Sequence, residues 1–437
     1  MKSKSDKIPK VSFLVGSGFS IPEGLPSVRD VNARLSKVDE SEILIHTDQT
    51  AIFLNGQEDR NRWANSRERL FFQKFLEFYS SECLSDNEEF NYEEFYDFYS
   101  NYIHEGKNKE TIESFYNDYV QQNNSDGKIK FKDCRNCLID FNRTFNQLLA
   151  SLLHSRKYFS DIDKSGHYPY DSFIFFLKEI LKSSEIKFHT LNHDLFFDWL
   201  GSSQSGLWEH YSDGYELEGS PFYGEVYCTF NEGTEREVRK QYYAKLKRFT
   251  DKYDTPLALY KLHGSIYNKV VYTPQPNQEL IRIKDDYSIN RYFMEVEDSI
   301  TKKKKLESVF DEVYPDFLSG TTNKIRSYSG DPYYKNIFQH FKKNLNDSEI
   351  LIVTGYGFND GGINEIIEEN YLREGKEMII IDPFKPKTKL IEKYNVKLII
   401  KGITELNNQE FIDLLPEQLK EKREIYKSIF GNYIGEI

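Results

Sequence analysis

Four short segments, far apart in the chain, bring together residue types that can do chemistry: VGSGFSIPEGLPSVR at 15–29, TLNHD at 190–194, KLHGS at 261–265 and TGYGFND at 354–360. A carboxamide such as Asn192 can orient a hydroxyl or a water, and a carboxylate such as Asp194 can accept from an N–H₂ group. An imidazole titrates near neutrality, so His263 is suited to take a proton from a hydroxyl or a water. The first segment follows the hydrophobic run Val11–Val15 and leads towards a helix, the path by which α/β proteins aim backbone N–H groups at a pyrophosphate. Gly16, Ser17, Gly18 and Ser20 are therefore the expected phosphate-facing residues, with Arg29 adding charge or holding the loop closed. Gly355, Tyr356 and Gly357 form a second glycine turn whose backbone can come close to a ligand. Asp382, at the end of MIIID, is placed to accept from adenosine ribose hydroxyls. Each feature alone has a plainer meaning: an ordinary strand-to-helix turn, an Asx-capped helix start at Asn192 or Asp194, a turn at Asp382-Pro383. Together, and in this order, they describe one dinucleotide site.

The elements that must hold such a site can be read coarsely. Strand Val11–Val15 precedes a helix near Ser27–Leu35, with Ser27 as cap and Asp30 at the capping-box position. IKFHTL at 186–191 and LALYKL at 257–262 are apolar runs short enough to be buried strands, and EILIVTG, MIIID and KLIIK continue the series, with a helix INEIIEENYLRE closed by Gly375. Strands alternating with helices imply a Rossmann-like α/β domain with a mainly parallel sheet and its ligand at the strands' carboxyl ends. From about 59 to 182 the pattern is helical and aromatic, which reads as a large helical insertion dividing the α/β domain into 1–58 and 183–437. Residues 201–256 are polar and rich in Gly and Tyr, and periodicity assigns them to nothing.

Composition excludes several classes. With 33 Phe and 31 Tyr the apolar content is aromatic, and no stretch approaches the roughly 20 apolar residues of a membrane helix. The start MKSKSDKIPK has no apolar signal region, so a cytoplasmic location is expected. A formal charge of −12 argues against direct nucleic-acid binding, and the lysine run 302–305 reads as a solvated loop or helix face. Cys83, Cys134, Cys137 and Cys228 lack the second pair that a structural zinc needs, so no metal is expected. Cys134 and Cys137 fall at i and i+3 of a helix, where core packing is the reading; a redox pair would sit at a helix N-terminus directly after a strand. His189, His193 and His210 have no motif around them and are read as structural.

Gly16-Ser17-Gly18-Phe19-Ser20 through Gly24-Leu25-Pro26-Ser27-Val28-Arg29 resembles the sirtuin signature G-A-G-x-S-x-x-x-G-I-P-x-F-R. Thr190-Leu191-Asn192-His193-Asp194 is similar to the sirtuin T-Q-N-x-D, and Leu262-His263-Gly264 to its catalytic H-G. The resemblance is to sirtuin-like proteins of bacterial antiviral defence, and it implies NAD⁺ as substrate, with Asp194 receiving the nicotinamide carboxamide. Sirtuin deacylases carry a four-cysteine zinc module after the His-Gly motif, whereas residues 266–353 of this chain contain no cysteine. The expectation is thus an NAD⁺ glycohydrolase, with deacylase, ADP-ribosyltransferase or non-catalytic NAD/ADP-ribose-binding subunit as alternatives. Cleaving the nicotinamide–ribose bond passes through an oxocarbenium-like state with a neutral leaving group, which an amide and an imidazole serve better than paired carboxylates. The resemblance further implies an antiphage effector acting as a homo-oligomer or with a hexameric ATPase partner.

Overall fold

The computed structural model describes residues 8–45, 51–54, 66–85, 88–124, 131–154, 168–202, 207–231, 237–272, 279–285, 289, 291–309, 314–317, 331–417, 419–421 and 424. Its centre is a seven-stranded sheet, entirely parallel. The strands are β1 (Lys10–Val15), β2 (Glu185–Thr190), β3 (Tyr211–Ser212), β4 (Leu257–Lys261), β5 (Ile350–Thr354), β6 (Met378–Ile381) and β7 (Val396–Ile399), in the order β7-β6-β5-β1-β2-β4-β3. The inner strands are almost wholly buried because both faces are covered, and β5 (ILIVT) and β6 (MIII) are the most apolar of them. On one face Phe13 stacks on Phe188 at 5.4 Å and meets Phe173 and Phe176 of helix α6 (Asp171–Leu181) edge-on at 5.9 and 6.3 Å, while Phe197 of α7 (Phe196–Ser202) stacks on Phe188. Phe411 of α10 (Asn408–Asp413) closes that layer against Phe176 at 4.9 Å. On the other, Leu14, Tyr260 and Val353 are buried with Phe341 of α8 (Pro332–Asp347) and Ile363 and Ile367 of α9 (Gly361–Asn370). The buried His189 also faces α8: its Nδ1 donates to the Phe13 carbonyl at 3.0 Å, Asn344 lies 3.2 Å from Nε2, and burial pushes the ring down to about 3. It is a neutral core histidine, as the sequence reading has it.

Helix α1 (Val28–Leu35) begins on the expected capping box, with the Asp30 N–H donating to Ser27 Oγ and the Ser27 N–H to Asp30 Oδ2. Helices α2 (Ser66–Phe78), α3 (Tyr92–Glu105), α4 (Lys109–Asn123) and α5 (Cys134–Leu153) share a second core made largely of rings. Phe75 alone has Phe95, Phe115 and Phe141 within 5.4 Å between centroids, contacts worth about 0.5–1.5 kcal/mol each beyond the area they bury. The strand pair Ile43–Ile45 and Ala51–Phe53 also joins this core. So do Leu195 and Ile266, which follow Asp194 and Ser265 directly, and Phe317. The expected start of the helical segment at 59 lies outside the described residues. Its expected end at 182 takes in α6, which packs on the sheet instead.

Two antiparallel sheets fill stretches that periodicity left blank. One runs in the order 314–317, 264–272, 280–284, 247–249, 215–216, and the other 304–308, 292–297, 222–231, 237–245. The lysine run is solvated as expected, with Lys302 and Lys303 in a loop, but Lys304 and Lys305 begin a strand rather than a loop or helix, and pair with Glu295 and Glu307, both at 2.7 Å. The cysteine pair also differs from its expected context: α5 starts at Cys134, so both cysteines lie in its first turn, behind the cap Asp133. Packing still governs them, since burial raises both thiols and pushes Cys137 up to about 12. Among the described residues no helix is long and apolar enough to cross a membrane.

Candidate active site

The four motif segments emerge from the carboxyl ends of four adjacent strands, β5, β1, β2 and β4. Backbone bonds lace these ends together: the Gly16 N–H donates to the Thr354 carbonyl (3.1 Å), Leu191 to Val15 (2.9 Å), Leu262 to Thr190 (2.9 Å) and Ile266 to His193 (3.0 Å). The sheet order reverses between β5 and β1, the place where open α/β sheets bind ligands.

At that reversal the two glycine turns meet backbone to backbone. The Gly18 N–H donates to the Gly355 carbonyl at 3.0 Å. A methyl group on Gly16 would lie 2.5 Å from the Gly355 oxygen, and one on Gly18 2.7 Å from the Gly355 Cα. Gly355 itself has φ +62°, and its added Cβ would stand 2.2 Å from the Phe19 nitrogen. Its glycine therefore serves this contact between the two turns. Gly355→Ala is expected to cost about 1–3 kcal/mol or more, through left-handed strain plus a clash with backbone that cannot step aside; urea unfolding monitored by circular dichroism measures it.

Asn192 is buried at the centre of a hydrogen-bond chain. Its Nδ2 donates to the Gly16 carbonyl (3.0 Å) and to Ser20 Oγ (2.9 Å), and Ser20 Oγ donates to Asp194 Oδ2 (2.9 Å). Asp194 Oδ1 accepts the Phe196 N–H at 2.9 Å. Burial raises the Asp194 carboxyl above the usual range, against the charge of Lys261. The chain ties the first turn to the second motif. Each Asp194 oxygen accepts one bond within the protein and has room for another, whereas the Gly18 N–H and the Ser20 hydroxyl proton are already donated within it. A dinucleotide held by these groups would exchange such bonds for its own. Ser17, half-buried, makes no side-chain hydrogen bond among the described residues, and neither does the Asn192 oxygen.

His263 is 4% exposed, and its Nε2 lies 3.5 Å from Asp360 Oδ2. Its ring centroid is 6.1 Å from that of His193, which in turn packs on Phe317 at 4.8 Å. His193, without a motif of its own, thus stands beside the imidazole that has one. Tyr356 is buried and donates to the Asp360 carbonyl and to Asn364 Oδ1, bracing the second turn against α9. Gly357 adjoins Asn359, whose Nδ2 would be 3.3 Å from an added Cβ. Asp382 is half-buried at the end of β6, one strand beyond β5, and its Oδ1 accepts the Phe384 N–H at 2.9 Å, closing a turn. Burial raises its carboxyl. Arg29 is exposed on the first turn of α1 and makes no ion pair among the described residues.

Two charged residues escaped the sequence reading. Asp360 is the last letter of TGYGFND, and only the fold shows that it faces His263. Lys261 opens KLHGS, and its buried ammonium binds Asp198 Oδ2 (2.5 Å), the Asp194 carbonyl (2.6 Å) and Ser265 Oγ (3.0 Å). Asp198 also pairs with Lys284 (2.7 Å), which reaches Asp213 (2.6 Å). A lysine two residues before a candidate catalytic histidine was the available signal, but only the fold shows that Asp198 and the Asp194 carbonyl face it.

No curated protein sequence matches the chain. Among solved structures, similar ones are a Sir2 homologue–NAD complex (10% identity, 96% of this chain and 92% of that chain covered, TM-score 0.32) and one concerned with the mechanism and regulation of Sir2 enzymes (10%, 97% and 95%, 0.35). A third is the ADP-ribose complex of a Sir2 homologue mutant (10%, 99% and 98%, 0.34). The segment 230–399, which holds His263, the second glycine turn, Asp360 and Asp382, matches the family model described as a SIR2-like domain.

Proposed function

We propose that this chain is an NAD⁺ glycohydrolase that releases nicotinamide and ADP-ribose. The observation that carries the reading is the convergence of Asn192 and His263 with two glycine turns on the carboxyl ends of adjacent strands. The SIR2-like match over 230–399 supports the choice of dinucleotide. In the reaction the ribose C1′–nitrogen bond breaks and its electron pair returns to the nicotinamide ring, which leaves neutral. Water adds to C1′ and gives up its proton, for which His263 is the base. The Asn192 oxygen orients the water or a ribose hydroxyl, with its amide nitrogen fixed by Gly16 and Ser20. Water is preferred to an acyl-lysine acceptor because 266–353 has no cysteine for a deacylase zinc module. The described part of that stretch forms antiparallel strands, α8 and most of β5. For a cellular role we propose an antiphage effector that depletes NAD⁺, acting in a homo-oligomer or with a hexameric ATPase; its support is the motif resemblance.

The test is incubation of the full chain, alone and assembled, with NAD⁺, and chromatographic measurement of nicotinamide and ADP-ribose. Equal release of the two is expected. A mass increase on a protein target would replace hydrolysis by transfer, and NAD⁺ binding without turnover in either state would make the chain a binding subunit.

A further inference from the structure

We propose that Asp360 is a positioning residue for His263: one oxygen of its carboxylate holds the imidazole while the other caps helix α9. The proposal rests on the glycohydrolase reading. Asp360 Oδ2 lies 3.5 Å from His263 Nε2, and Oδ1 accepts the Ile363 N–H at 3.1 Å in an N-cap of extended backbone. The residue is locked from behind. Its carbonyl accepts from the Tyr356 hydroxyl (3.1 Å) and the Asn364 N–H (3.1 Å), and Asn364 Nδ2 donates to the Phe358 carbonyl (2.8 Å). Phe358 has φ +58°, a conformation that costs a non-glycine residue energy. Among the described residues, the titratable groups beside the ring include Asp360 from the start of α9 and His193 from the loop after β2. Lys261, two residues earlier, is turned to Asp198.

The arrangement has a chemical purpose. With the carboxylate 3.5 Å from Nε2, a proton on that nitrogen is the one Asp360 favours, and in that tautomer Nδ1 is the basic nitrogen. When Nδ1 takes the proton from water, the ring becomes an imidazolium. The positive end of the ten-residue α9 disfavours a cation there. A carboxylate placed between the helix end and the ring offsets that effect at the moment the charge forms.

Asparagine caps helices about as well as aspartate, so Asp360→Asn removes the charge and keeps the cap. In the full chain it is expected to lower kcat about 10- to 100-fold with KM little changed and thermal stability near wild type. The acidic limb of the pH–rate profile should move to lower pH, because the protonated ring has lost its partner. Asp360→Ala loses the cap as well and should also melt earlier. A wild-type kcat and pH profile in Asp360→Asn, beside an inactive His263→Ala, would overturn the proposal. NMR titration of the His263 ring in both proteins reads the pairing without turnover. A midpoint that drops in Asp360→Asn supports the pairing even if NAD⁺ is not cleaved, and an unmoved midpoint refutes it.

Discussion

Alanine at position 263 is expected to lower NAD⁺ turnover by about 10²- to 10⁴-fold, the usual range for loss of a positioned general base. The loss should fall on kcat, since the imidazole acts on a proton that moves only in the reaction. His263 is buried beside Asp360, so the variant leaves a small cavity and a carboxylate without its ring, and its folding must be checked by circular dichroism. Asn192→Ala should cost about 10²- to 10³-fold, comparable to removal of one preorganised polar group. Here KM should rise too, because the Asn192 amide ties Gly16 to Ser20, and through Ser20 to Asp194. Steady-state kinetics with nicotinamide release as the readout separates the two effects. Full turnover in both variants would remove the chemistry assigned to this site.

Lys261→Met should be the most damaging single change away from the reacting atoms, at about 3–5 kcal/mol, the cost of breaking a buried ion pair from one side. Lys261 and Lys284 are 7% and 5% exposed, and between them they neutralise Asp198 and Asp213. Burial alone would push the Asp198 carboxyl up; the two ammonium groups outweigh it and hold it at about 2. An unfolded aspartate titrates near 4. The pairing therefore stabilises the fold above about pH 4 and is lost as pH falls from there towards 2. In Lys261→Met the acid transition should begin at higher pH. Adding Asp198→Leu should recover part of the loss, since Lys284 keeps Asp213 and no unpaired carboxylate is left at 198. Urea titrations at neutral and acid pH measure all three. Equal stability of Lys261→Met and wild type would show that the network does not hold the site. Turnover should also fall in the folded fraction, because the ammonium fixes the Asp194 carbonyl and the Ser265 hydroxyl.

The central sheet could be read because strands such as ILIVT and MIII are buried on both faces and must be apolar throughout. α1 was legible because its capping box is a local pattern of residues 27 and 30. The strands EVRKQYYAK and KKLES were not, since charged and polar side chains dominate both without a regular apolar face, and the same letters fit a polar loop. α6 was legible as a helix but not as part of the sheet's cover: amphipathicity shows that a face is buried, never against which core. Similarly, the motifs named Asn192 and His263, while Asp360 and the Lys261 network depended on which loops the sheet order makes neighbours.

Leu195 and Ile266 belong to the core of the α2–α5 helices, although each directly follows a residue held by Lys261. Close-packed interiors pass displacement on instead of absorbing it. The firmness of the helical core thus sets how tightly the two loops that carry Asp194 and Ser265 are anchored.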